Sequence, residues 1–206
     1  MLGGAVIASI ISFTIIPPES ELHAQVDLTA PVTAEINNAQ VGVTGSPRSI
    51  TNFAIGGFSA VVLNGEIQNA TSEITPFTVT DPTGTGAGWN VTMEADPLTL
   101  VGSTETLPTG SLTVKAPIVT ALEGSAAVDQ NMVVKGGAID GAGQTIISAA
   151  PGAGMGSYSV SFLSQLLDGT TTNANDALSL RLLPKDVKSG TYTTTIRVTI
   201  NSGPGL

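Results

Sequence analysis

Thr191-Tyr192-Thr193-Thr194-Thr195-Ile196-Arg197-Val198-Thr199-Ile200-Asn201 alternates without a break. Tyr192, Thr194, Ile196, Val198 and Ile200 fall on one side, and Thr193, Thr195, Arg197 and Thr199 on the other. A period of two is the signature of a strand with one face in a core and one in water. Just upstream, Leu178, Leu180 and Leu182 alternate with Ser179 and Arg181, and Pro184 to Gly190 supplies turn residues. This pattern predicts a C-terminal antiparallel hairpin. Similar alternation at 26–36, 58–63, 74–80, 89–95, 111–116 and 157–162 brings the candidate strands to eight. Gly, Pro, Asn and Asp separate them, and no stretch keeps helical spacing for three turns. The expected fold is all-β: an antiparallel two-sheet β-sandwich in a Greek-key, immunoglobulin-like order. The Gly- and Ala-rich tract 124–156 reads as a long loop, with room for one short strand at 145–148.

Composition narrows the function. The 206 residues suffice for one domain with a real core. Hydrophobic residues make up 41% and charged residues only 11%, which excludes the disordered class. Seven basic residues against sixteen acidic give a net charge of -9, which repels a phosphate backbone, so nucleic acid is not an expected partner. With no cysteine there is no disulfide, thiolate metal site or cysteine nucleophile. The apolar run from Ala5 to Ile16, closed by Pro17-Pro18 and followed by a polar stretch to Ala24, reads as a secretory leader. The run is shorter than the roughly 20 residues a membrane helix needs. The expected organisation is therefore a leader over 1–24 and a single β-sandwich domain over 25–206, extracellular and with no membrane span in the mature chain.

Candidate chemistry is sparse. His23, the one histidine, sits beside the expected cleavage point, so the mature domain has no Ser-His-Asp set and no histidine-ligated metal. Gly84-Thr85-Gly86-Ala87-Gly88 lacks the Lys-Ser/Thr of a phosphate loop and precedes a strand, which points to a tight turn. Glu94 and Asp96 lie two apart on one strand face, the layout of a carboxylate pair and equally of a solvated face. Asp81, Asp129, Asp140, Asp168 and Asp176 are oxygen ligands in loop-like contexts, but none follows a known calcium spacing; turn formation is the simpler role, with a bound calcium as the alternative, and no other metal or cofactor is expected. Trp89 reads as a core anchor, with an exposed stacking platform as the alternative. Asn69-Ala70-Thr71 and Asn90-Val91-Thr92 match the glycosylation acceptor pattern. No residue set here can run a reaction, and the chain is not expected to be an enzyme.

Three segments carry a likeness: Phe77-Thr78-Val79-Thr80-Asp81-Pro82-Thr83-Gly84-Thr85-Gly86-Ala87-Gly88-Trp89-Asn90-Val91-Thr92, Gly152 to Tyr158, and Gly190 to Pro204. Together and in this order they resemble the WxL-domain family of secreted bacterial surface proteins. The resemblance implies a β-rich domain held non-covalently on the Gram-positive wall, with peptidoglycan as ligand and Asp81, Gly86, Gly88, Trp89, Asn90 and Tyr192 as binding residues. Val91 stands where the Trp-x-Leu signature has leucine, and Arg197-Val198-Thr199 stands at the second signature. The partner is then a cell-wall polymer or, alternatively, copies of the chain itself. Leader removal would free the alternating segment 25–36 at the N-terminus. Its Val26, Leu28, Val32 and Ile36 could set the register of a strand donated to the next subunit of an extracellular filament or biofilm matrix fibre.

Overall fold

The structure, a computed structural model, describes residues 11–14, 34–37, 40–43, 45–165, 170–174 and 176–205. Those residues form strands and loops with no helix, and hence no helix long and apolar enough to cross a membrane. In chain order the strands are β1 (Ile11–Thr14), β2 (Ala34–Asn37), β3 (Gln40–Val43), β4 (Ser49–Thr51), β5 (Gln68–Ser72) and β6 (Phe77–Asp81). There follow β7 (Trp89–Ala95), β8 (Thr99–Leu100), β9 (Leu112–Val114), β10 (Ile118–Ala121), β11 (Met132–Val134) and β12 (Gly137–Ala138). The last six are β13 (Gln144–Ala149), β14 (Gly156–Ser161), β15 (Leu163–Gln165), β16 (Thr171–Asn173), β17 (Leu178–Leu182) and β18 (Tyr192–Ser202).

Three antiparallel sheets, rather than the two expected, carry the fold. The largest runs β1-β18-β7-β13-β11, with β8 also paired to β18. The second runs β10-β14-β6-β4 and the third β12-β9-β17-β5; β2–β3 and β15–β16 are separate ribbons. One buried cluster joins residues of all three, among them Trp89, Val91 and Ile196 of the first, Val79 and Tyr158 of the second, and Leu112 and Leu180 of the third. The rings of Trp89 and Tyr158 meet at 5.8 Å between centroids, and Phe53 and Phe77 pack edge to face at 5.4 Å.

β18 is the strand that its alternation announced: Tyr192, Thr194, Ile196, Val198 and Ile200 are all buried. Three expectations need correction. β17 and β18 do not form a hairpin, because β17 pairs with β5 and β9 while β18 pairs with β1, β7 and β8. Their apolar faces both serve the shared core from different sheets, and alternation alone does not distinguish that from side-by-side pairing. Residues 58–63 are irregular chain, with Phe58 buried but Val62 and Leu63 exposed, so no face forms. The tract 124–156 is mostly loop but holds three strands, β11, β12 and β13, where one was expected; β13 takes the place of the strand read at 145–148 and lies inside the largest sheet. The register on β7 slips between Thr145 and Ile147, and Ile146 and Ile147 are both fully buried although adjacent. A bulge of this kind breaks the alternation that the sequence reading depends on. Of the segment 25–36, Val26, Leu28 and Val32 lie outside the described residues, while Ile36 sits in β2 opposite Val41.

Candidate functional site

The residues singled out in the sequence fall at two ends of the molecule. At one end, β6 leads into the glycine run and then β7. Asp81 begins the turn by accepting hydrogen bonds at Oδ1 from the backbone N–H (3.1 Å) and hydroxyl (2.6 Å) of Thr83. Its Oδ2 lies 3.1 Å from Arg48 Nη2, in an ion pair almost wholly removed from water. Gly84, Gly86 and Gly88 then take positive φ angles of 66, 62 and 74 degrees, a region that disfavours side chains. At Gly88 a Cβ would also strike the Ala149 carbonyl. The Gly88 carbonyl accepts from both Arg48 Nη2 and the Gly203 N–H, each at 3.0 Å, so three distant parts of the chain meet at this point.

Trp89 is fully buried, and its Nε1–H donates to the Gly154 carbonyl at 2.7 Å. A Cβ at Gly154 would collide with the indole, so the second glycine-rich segment closes over the ring. Asn90 is buried too: its side-chain N–H donates to the Gly203 carbonyl at 2.9 Å, and its Oδ1 accepts from Thr92 and Asn201. Tyr158, its ring tilted at 56° against that of Trp89, donates its hydroxyl to the Ala126 carbonyl (2.9 Å) or that of Met155 (3.1 Å). Burial, with Asp81 and Asp129 adding to it, raises its pKa. Asp81, Gly88, Trp89 and Asn90 thus clamp loops together, and the indole offers no stacking face to a ligand.

Tyr192 belongs to the other end. Ser202 of β18 pairs with Trp89, whereas Tyr192 pairs with Leu100 in β8, which places about 33 Å of strand between the two aromatic residues. The six residues therefore do not form one site. At the Tyr192 end lies a groove of about 550 Å³, with Val61, Leu182, Val187 and Tyr192 among its apolar lining and Ser189 and Thr191 among its hydroxyl groups. The irregular strap that carries Val61 also presents Val62, at 85% exposure, together with Leu63 and Ile67. Lys188 borders the groove, and its ammonium is paired with Glu105, which raises its pKa. The Lys188 N–H donates to the Tyr192 hydroxyl at 2.8 Å and holds the loop against the ring. Reading 58–63 as a strand concealed this strap; the consecutive apolar residues Ala60 to Leu63, which do not alternate and lie between Gly57 and Gly65, were the available signal.

The remaining candidates are occupied elsewhere. Asp96 makes a two-pronged pair with Arg197 (2.6 and 2.8 Å), so it does not act with the exposed Glu94 as a carboxylate couple. Asp140 caps the Gly110 and Leu112 N–H groups, Asp129 accepts from the Asn131 N–H, and Asp176 pairs with Lys115. Asp168 lies outside the described residues, among which no group of three or more His, Cys, Asp or Glu side chains is placed to hold a metal.

A family model described as a WxL domain, surface cell wall-binding, matches residues 49–204. The chain belongs to the WxL family. Searches of curated proteins and of solved structures return no match. The matched span begins at β4 and ends just beyond β18, so the WxL domain takes in the core strands of all three sheets, Trp89 and Tyr192 included. Within it, the WxL signature acquires a structural meaning. Trp89 and Val91 share one face of β7 and both are fully buried, so the spacing places two apolar groups in the core. Valine in place of leucine keeps that role. Arg197-Val198-Thr199 lies in β18 beside Glu94, Met93 and Thr92, again with its middle residue buried.

Proposed function

We propose that this WxL domain is a non-catalytic attachment module of the cell surface that grips peptidoglycan through the groove at the Tyr192 end. The observation that carries the proposal is the lining of that groove: an apolar floor, hydroxyls at Ser189 and Thr191, and a lysine already neutralised by Glu105. An N-acetylated glycan presents methyl groups and hydroxyls in alternation and no charge on its backbone, which suits such a lining. The net charge of -9 opposes anionic wall polymers and favours a neutral one. The buried Trp89 end contributes rigidity.

Purified peptidoglycan should sediment the protein, and Val62→Asp with Leu63→Asp should abolish co-sedimentation while the thermal midpoint moves little, since both side chains face solvent. Undiminished co-sedimentation of that variant would remove the groove from the account. Failure of the unmodified protein to sediment with peptidoglycan would remove the ligand.

A further inference from the structure

The outer edge of β18 has unusual properties for the rim of a sheet. Its inner edge is taken by β7 and β8, while Thr193 to Ile196 on the outer edge pair with Thr14 to Ile11 of β1. From Arg197 to Ser202 the outer edge has no strand partner among the described residues. The strand itself carries little edge defence: it is long, has no proline, and its single charge, Arg197, is paired with Asp96. β1 lies within the expected leader. Its removal would leave all 11 residues of the strand without a partner on that side among the described residues.

We propose that this edge is a strand-acceptor site, and that its occupant in the mature protein is residues 25–33 of a second copy. The segment Gln25-Val26-Asp27-Leu28-Thr29-Ala30-Pro31-Val32-Thr33 follows the expected cleavage point and alternates as a donor strand must. Pro31 is tolerated in a strand paired on one side only.

Strand direction decides between the chain's own segment and that of a neighbour. Gly45 packs against the Thr83 backbone, and Arg48 reaches Gly88 where Gly203 also bonds, so this part of the chain is fixed at the Ser202 end of β18. Ala34 pairs with Val43, two residues before Gly45, and so lies within about 12 Å of it. An antiparallel donor must run from the Ser202 end toward Tyr192, bringing Thr33 to the Thr193–Ile196 region, about 20–30 Å from Ser202. In the same chain Thr33 is bonded to Ala34 at the opposite end, so self-pairing would have to be parallel. Every strand pair described here is antiparallel. A second copy meets the antiparallel requirement without moving the β2–β3 ribbon. With one donor and one acceptor per copy, the contact is head-to-tail and can propagate.

The test is backbone amide exchange across Thr193–Ile196, read alongside sedimentation velocity, on the form secreted into the medium and on the full chain carrying Phe13→Pro, which removes an amide donor from β1. The expected result is exchange that slows as concentration rises, in step with self-association. Val26→Asp with Leu28→Asp should weaken association by about tenfold or more and restore fast exchange, with the thermal midpoint of the dilute protein unchanged. Slow exchange at every concentration would assign the seat to the chain's own segment and overturn the proposal. Fast exchange at every concentration would show that the edge takes no strand.

Discussion

At the scale of single residues, the WxL signature works by packing. The buried positions of Trp89 and Val91 follow from their place on β7, and a lone tryptophan in an alternating strand already reads as a core anchor from sequence. The role of Asp81 was not legible, because its partner Arg48 lies on another element and no local pattern links the two. Tyr158 gives this packing a pH signature. Its phenol titrates near 10 when unfolded and higher when folded, where burial chiefly, then Asp81 and Asp129, disfavour the phenolate. Below about pH 10 both states hold the proton and its full contribution to stability is present. As pH rises through the folded value, the unfolded state ionises first and that contribution is lost. Tyr158→Phe should therefore flatten the decline in stability above about pH 10, at a cost near 1 kcal/mol at neutral pH from the lost hydroxyl bond. Urea titrations followed by the fluorescence of the single tryptophan provide the check. An unchanged alkaline slope would show that other groups set it.

At the scale of elements, the strands that announced themselves were those whose alternation is uninterrupted, β7, β17 and β18, and their limits match the reading to within a residue or so. β13 was read only as a short strand at 145–148 and not as an inner strand of the largest sheet, because its bulge turns adjacent isoleucines inward, and β17 was assigned the wrong partner because pairing between distant strands leaves no local mark. The loop between β6 and β7 allows a sharper test. Gly84 and Gly88 have similar positive φ angles, but a Cβ at Gly84 meets open space while one at Gly88 meets the Ala149–Ala150 backbone. Gly84→Ala should cost about 1–2 kcal/mol, the penalty of the left-handed conformation alone. Gly88→Ala should add about 1–3 kcal/mol for crowding and loosen the junction of Arg48, Gly88 and Gly203. Chemical denaturation of the two variants side by side separates conformational strain from packing, and equal losses would mean that the Ala149 strand yields freely.

At the scale of the whole molecule, β18 divides the labour: a rigid clamp of glycines around Trp89 at one end and an apolar groove beside Tyr192 at the other. Composition made the acidic, weakly charged character legible, but the distance between the two aromatic residues emerges only from strand register. Salt dependence tests what that character means for attachment. If binding rested on Lys188 or on any other cation meeting a wall anion, added salt would screen the attraction, with the Debye length falling from about 30 Å at 0.01 M to about 8 Å at 0.15 M. Lys188 is already paired with Glu105, and the net charge is -9, so the only long-range force toward an anionic wall is repulsive. Binding to bare peptidoglycan should then be nearly independent of salt. Binding to walls that retain anionic polymers should strengthen as salt rises, because screening removes repulsion while the apolar contacts in the groove persist. Co-sedimentation with both preparations across a salt series measures the two slopes. A fall in binding to bare peptidoglycan with rising salt would mean that charge, not the neutral lining of the groove, makes the contact.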